Sequence, residues 1–87
     1  MRFVVHGRVQ GVGYRAATER QAKALGLQGW VRNRDDGAVE GVAAGAPDAL
    51  AALHRWLAVG PEKAVVTSVE WLPTNEHPEP GFVVRRY

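Results

Sequence analysis

The sequence predicts an α+β fold: an antiparallel sheet carrying two helices on one face, in the order β-α-β-β-α-β, with a short extra strand at the end. Three observations carry this expectation. Apolar residues alternate with polar ones near the start, Leu50, Leu53 and Leu57 recur at helical spacing, and Asp36-Gly37 joins two extended runs. The chain has 87 residues, 46% of them AVILMFWYC and 23% charged, which is ordinary globular usage and enough for one core only. A single domain over residues 1–87 follows, with a radius of gyration of about 12 Å.

Over residues 2–9, Phe3, Val5 and Val9 fall on one face and Arg2, His6 and Arg8 on the other, as in a half-buried strand. Gly7, Gly11 and Gly13 then interrupt it and permit backbone angles closed to other residues. Residues 16–25 are alanine-rich with interspersed charge, and Gly26 stands where a helix C-terminal glycine belongs. Residues 28–34 form a second strand, ended by Asp35-Asp36-Gly37, and residues 38–44 return antiparallel to it. Pro47 suits the first turn of a second helix, Asp48 suits its positive end, and Gly60-Pro61 stops it. Residues 65–72 form a fourth strand, 73–81 a loop, and 82–87 the short last strand. This is the split βαβ, or ferredoxin-like, arrangement, with sheet order 4-1-3-2.

Composition excludes several function classes. The chain has no cysteine, so disulfides, Cys-bound zinc, Fe–S clusters and thiol nucleophiles drop out. No apolar run approaches the ~18 residues that span a bilayer, and the start reads as a strand, so a cytoplasmic protein with no membrane partner is expected. The net charge is only +2, too little for a nucleic-acid binder, yet nine of the eleven basic residues are arginine. Arginine's planar fork suits phosphate or carboxylate, and a small anionic ligand is the economical reading.

The segment Arg8-Val9-Gln10-Gly11-Val12-Gly13-Tyr14-Arg15 lies between the first strand and the first helix. Closely spaced glycines there let successive backbone N–H groups converge, and the helix N-terminus adds its dipole. Arg15 can aim its guanidinium at the same point. Glycines between a strand and a helix also serve merely as a tight turn. Residues 11–16 match the dinucleotide pattern G-x-G-x-x-A, with Asp35 at about the right distance for a ribose. That acid sits in a hairpin turn, however, and the chain is too short for a doubly wound sheet. The P-loop pattern fails as well, since no Gly-Lys-Ser/Thr follows.

The run Gly7-Arg8-Val9-Gln10-Gly11-Val12-Gly13-Tyr14-Arg15, with Gly29-Trp30-Val31-Arg32-Asn33, Asp36-Gly37-Ala38-Val39-Glu40-Gly41 and the terminal Phe82-Val83-Val84-Arg85-Arg86-Tyr87, closely resembles the acylphosphatase family. The resemblance covers essentially the whole chain. It implies an enzyme that hydrolyses carboxyl-phosphate anhydrides to a carboxylate and inorganic phosphate, with neither metal nor organic cofactor. It also implies that Arg15 and the backbone N–H groups of Gln10, Gly11, Val12, Gly13 and Tyr14 bind the phosphoryl oxygens. Asn33 would orient the attacking water, and a phosphoryl oxygen would take its proton. Independently of the resemblance, a βαβ unit brings the ends of the first two strands to one sheet edge. One strand lies between them, a gap of about twice 4.8 Å. Asn33 read from pattern alone is a turn residue before Asp35.

His6, His54 and His77 are too scattered for a metal site and read as surface side chains. Asp35 and Asp36 read as turn formers, Trp30, Trp56 and Trp71 as packing residues, and Arg85 and Arg86 as a solvated edge. The alternative function is a non-catalytic module of the same fold that senses small anions or binds RNA. Its third strand, Gly-Ala-Val-Glu-Gly-Val-Ala, lacks the basic-aromatic pattern of RNA-binding sheets. The acylphosphatase-like module that opens larger carbamoyl-transfer proteins is a third possibility, against which a chain of this length beginning at Met1 speaks. A monomer acting on a small acyl phosphate is expected.

Overall fold

The computed structural model describes residues 1–86. Its elements are β1 (Arg2–Arg8), α1 (Tyr14–Ala24), β2 (Gln28–Asn33), β3 (Val39–Ala44), α2 (Pro47–Leu57), β4 (Val65–Leu72) and β5 (Phe82–Arg85). The strands make one sheet in the order β4-β1-β3-β2-β5. β1 pairs antiparallel with β3 and β4, β2 antiparallel with β3, and β5 parallel with β2. This is the ferredoxin-like α+β fold with the extra strand added at the β2 edge. The radius of gyration is 11.5 Å, close to the expected size.

Both helices cover the same face. Phe3 and Val5 of β1, Val31 of β2, Val39 and Ala43 of β3 and Phe82 of β5 form one core with Tyr14, Ala22, Leu53 and Leu57. The opposite face is also partly closed, which strand alternation did not foretell. Val4 shares the face of Arg2 and His6 yet is only 1% exposed, because it lies between Glu40 and Glu70 on the flanking strands. Glu40 is itself buried, and its carboxylate accepts from Arg2 at 3.0 Å and from Arg32 Nε at 2.7 Å.

Several boundaries differ from expectation: β1 ends at Arg8 rather than Val9, α1 ends at Ala24 rather than Leu25, β3 begins at Val39 rather than Ala38, and three further shifts follow. α1 begins at Tyr14 rather than Ala16, since Tyr14 is buried, donates its hydroxyl to Leu57 O at 2.6 Å and packs on Trp56. β2 stops at Asn33 because Arg34 N–H already belongs to the hairpin turn, bonded to Ala38 O at 2.8 Å. β5 ends at Arg85, and the part of the expected strand at Tyr87 lies outside the described residues. Gly26 ends α1 as expected: at φ 73° it lets its own N–H reach Lys23 O and Leu27 N–H reach Ala22 O.

Arg85, on the edge strand β5, is half-buried rather than freely solvated. Its guanidinium lies 4.4 Å from the Trp30 ring centroid, with Arg32 at 5.3 Å, and Trp30 Nε1 donates to Glu76 at 2.6 Å. Trp71 packs between Phe3 and His54, the imidazole lying parallel at 4.4 Å. His54 is therefore stacked on a ring, and His6 is held by Glu70 at 2.6 Å.

Candidate active site

β1 and β2 run parallel with β3 between them, so their C-terminal ends open on one sheet edge. A cleft of about 570 Å³ lies there. Of the residues expected at the site, Gly11, Gly13, Tyr14, Arg15 and Asn33 line it, which brings the glycine loop, the helix start and the end of β2 together.

The loop is shaped by its glycines. Gly11 and Gly13 hold φ of 75° and 77°, a left-handed conformation that costs other residues about 1–2 kcal/mol. A Cβ at either would meet nothing within 4 Å, so this backbone faces open space. Gly13 is the N-cap of α1 and offers no side-chain cap, and the first helical bond runs from Ala17 N–H to Gly13 O. The N–H groups of Tyr14, Arg15 and Ala16 therefore have no partner within the helix, and no acidic residue occupies its first turn. Such an end favours an anion through its donors and its dipole. Arg15 is half-buried beside it, and its Nη1 donates to Arg85 O at 3.4 Å.

Asn33 closes the other side. Its Oδ1 is shielded from bulk solvent and has no hydrogen-bond partner among the described residues, although the residue lines the cleft. Buried acceptors are almost always satisfied, so an orphan beside a cleft marks a point where a donor from water or ligand can bind. Tyr14 lines the cleft, but its hydroxyl donates to Leu57 O at 2.6 Å, and burial pushes its phenol well above the ordinary value of 10.0.

Gln10 and Val12 are placed differently. Neither lines the cleft; the Gln10 amide turns toward the β2–β3 hairpin, and Val12 packs against the core. Other residues join that sequence reasoning had not assigned: Val9, Ala16 and Glu19, and from the last strand Val83, Val84 and Arg86. Arg86, read from sequence as a solvated residue, is exposed but sits at this cleft. The missing signal was the position of β5, because only its pairing beside β2 carries residues 83–86 to the site edge. Among the described residues no group of three His, Asp or Glu gathers to hold a metal ion.

A helix start with free N–H groups and an arginine beside it, in a cleft that an asparagine also lines, defines a class: a small ferredoxin-like protein with a site suited to a small anion. Comparison with known proteins narrows it. The chain belongs to the acylphosphatase family, whose model, described as Acylphosphatase, matches residues 1–84. It is 52% identical over 82 residues to Acylphosphatase 2 of Ralstonia nicotianae, covering 93% of this chain and 86% of that protein. It is 54% identical over 82 residues to an acylphosphatase of Pseudomonas aeruginosa, covering 94% and 90%. The solved structure of an acylphosphatase from Coxiella burnetii superposes with a TM-score of 0.93 at 39% identity, covering 97% of this chain and 88% of that one.

Proposed function

We propose that this cleft performs the hydrolysis for which the family is named, on a small-molecule acyl phosphate. The phosphoryl group lies against the N–H groups of the glycine loop and helix start, with Arg15 across its equatorial oxygens. Each charge-assisted hydrogen bond there contributes about 1.5–3 kcal/mol. Asn33 Oδ1 accepts a hydrogen bond from the attacking water and fixes its line of approach. The water oxygen bonds to phosphorus, the bond from phosphorus to the acyl oxygen breaks, and the carboxylate leaves with the electron pair. A phosphoryl oxygen takes the water's proton. The leaving group is already a stable anion, so positioning and charge stabilisation suffice and no general acid is required. The observation that supports this reading is that Asn33, whose Oδ1 has no hydrogen-bond partner among the described residues, lines one cleft with the glycine loop and the start of α1.

The same reading has residues 1–87 acting as one domain, in the cytoplasm, as a monomer without a cofactor; no helix is long and apolar enough to cross a membrane among the described residues. No nucleic-acid partner is proposed. Trp30, an aromatic side chain on the sheet face away from the helices, is 7% exposed and faced by Arg32 and Arg85, which leaves its ring closed to a stacking base.

Phosphate release from benzoyl phosphate, measured with a chelator present, tests the proposal. Wild type should turn over. Asn33→Ala should lose about 10²–10³ in rate, as removal of one transition-state partner typically does, while inorganic phosphate still inhibits. Arg15→Ala should lose both turnover and phosphate inhibition. Full activity in either variant overturns the residue roles, and no wild-type turnover overturns the reading of the site.

A further inference from the structure

We propose that the Gln10 side chain is a positioning residue for this reaction, holding the N–H cradle in register with Asn33. The inference rests on the reading of the cleft above and goes beyond it. Gln10 does not line the cleft. Its Nε2 instead donates to Arg34 O at 2.8 Å and to Ala38 O at 3.0 Å, using both amide hydrogens. Those two carbonyls form the neck of the β2–β3 hairpin, where Arg34 N–H already bonds Ala38 O at 2.8 Å. Arg34 follows Asn33 directly, and Ala38 precedes Val39, the residue paired with Asn33 in the ladder.

The sheet alone does not fix this geometry. β3 separates β1 from β2, so the loop leaving β1 and the strand end carrying Asn33 share no ladder bond. Gln10 supplies a direct tie between them. One half of the site binds the phosphoryl group and the other aims the water, so the tie sets the attack distance. Error in that distance is expensive: about 1 Å of misplacement costs about 10²-fold. The chemistry also explains the residue type. Two donors on one neutral atom are needed; glutamate has the shape without the donors, and asparagine is one methylene short.

The test separates alignment from binding. In Gln10→Ala, kcat on benzoyl phosphate should fall about 10- to 100-fold. The inhibition constant for inorganic phosphate should move less than about threefold, because the cradle and Arg15 that hold phosphate are untouched. Retained phosphate affinity also shows that the variant is folded. Gln10→Glu should lose the same factor at neutral pH, where the carboxylate faces two carbonyl oxygens. Its kcat relative to wild type should recover as pH falls, since the protonated carboxyl regains one donor. Unchanged kcat in Gln10→Ala overturns the proposal, as does a parallel loss of kcat and phosphate affinity. If Gln10→Ala fails to fold, Gln10→Glu measured across pH decides alone, and absence of recovery overturns the proposal. Failure of the wild type to turn over would instead count against the cleft assignment.

Discussion

Tyr14 shows how one residue can serve the site without entering the chemistry. It is 1% exposed at the first position of α1, its hydroxyl donates to Leu57 O on α2 at 2.6 Å, and its carbonyl accepts from Thr18 Oγ1 at 2.8 Å. Those bonds fix where the helix begins and therefore where the free N–H groups point. Burial raises the phenol's pKa above its ordinary 10.0, so the sign of the linkage is clear. Below 10.0 both folded and unfolded chains hold the proton; above it the unfolded chain releases its proton first, and stability falls with rising pH. Tyr14→Phe should lower stability at pH 7 by about 1–2 kcal/mol, through the orphaned Leu57 carbonyl. It should also flatten the alkaline decline above pH 10, and urea unfolding at pH 7 and pH 11 checks both. Equal pH dependence in the two proteins would count against this reading.

At the scale of elements, two glycines separate conformational demand from packing demand. Gly13 caps α1 at φ 77° and a Cβ there would touch nothing within 4 Å. Gly13→Ala should therefore cost about 1–2 kcal/mol, from backbone strain alone. Gly41 lies in β3, where a Cβ would sit 2.3 Å from Trp30 O and 2.4 Å from Phe3 Cζ. The strand backbone cannot yield without parting the β2–β3 ladder, and Phe3 is locked in the core. Gly41→Ala should cost about 2–3 kcal/mol by overpacking. The two also differ in function. Gly13→Ala should weaken phosphate inhibition by shifting cradle N–H groups, whereas Gly41→Ala, while folded, should leave it unchanged. Thermal unfolding with and without phosphate distinguishes them, and a Gly41 variant as stable as wild type would refute the packing argument.

For the whole molecule, the sheet has two free edges, and both are blunted. β5 offers only four residues, while β4 carries Thr67, Ser68 and Glu70 among its apolar residues and shifts register against β1 at His6–Gly7. Short, polar or irregular edges resist edge-to-edge pairing. Of the exposed apolar residues, Val65 and Leu72 stand at opposite ends of β4, Val83 lies on β5 and Val59 follows α2. A monomer is therefore expected, and sedimentation equilibrium should return a single species of 9.5 kDa at all loading concentrations. A concentration-dependent mass would show that an edge is used.

Sequence by itself determined what depends on neighbours in the chain: the order of elements, the Asp36-Gly37 hairpin, the cap at Gly26, and the glycine loop that leads into Arg15. Periodicity and turn chemistry are local, so they are legible without a fold. Asn33 and Arg15 were legible as a pair only through resemblance, since pattern alone made Asn33 a turn residue. Tertiary structure decided what depends on partners 24 to 70 residues away: the Gln10 tie to the hairpin and the Arg15 bond to Arg85 O. It also set the early start of α1, the burial of Val4, and the stacking of Arg85 over Trp30. The placement of β5 beside β2 belongs here too, and with it the presence of Arg86 at the cleft. A residue's type says what it can bond; only the closed sheet says which carbonyl, ring or carboxylate comes within reach.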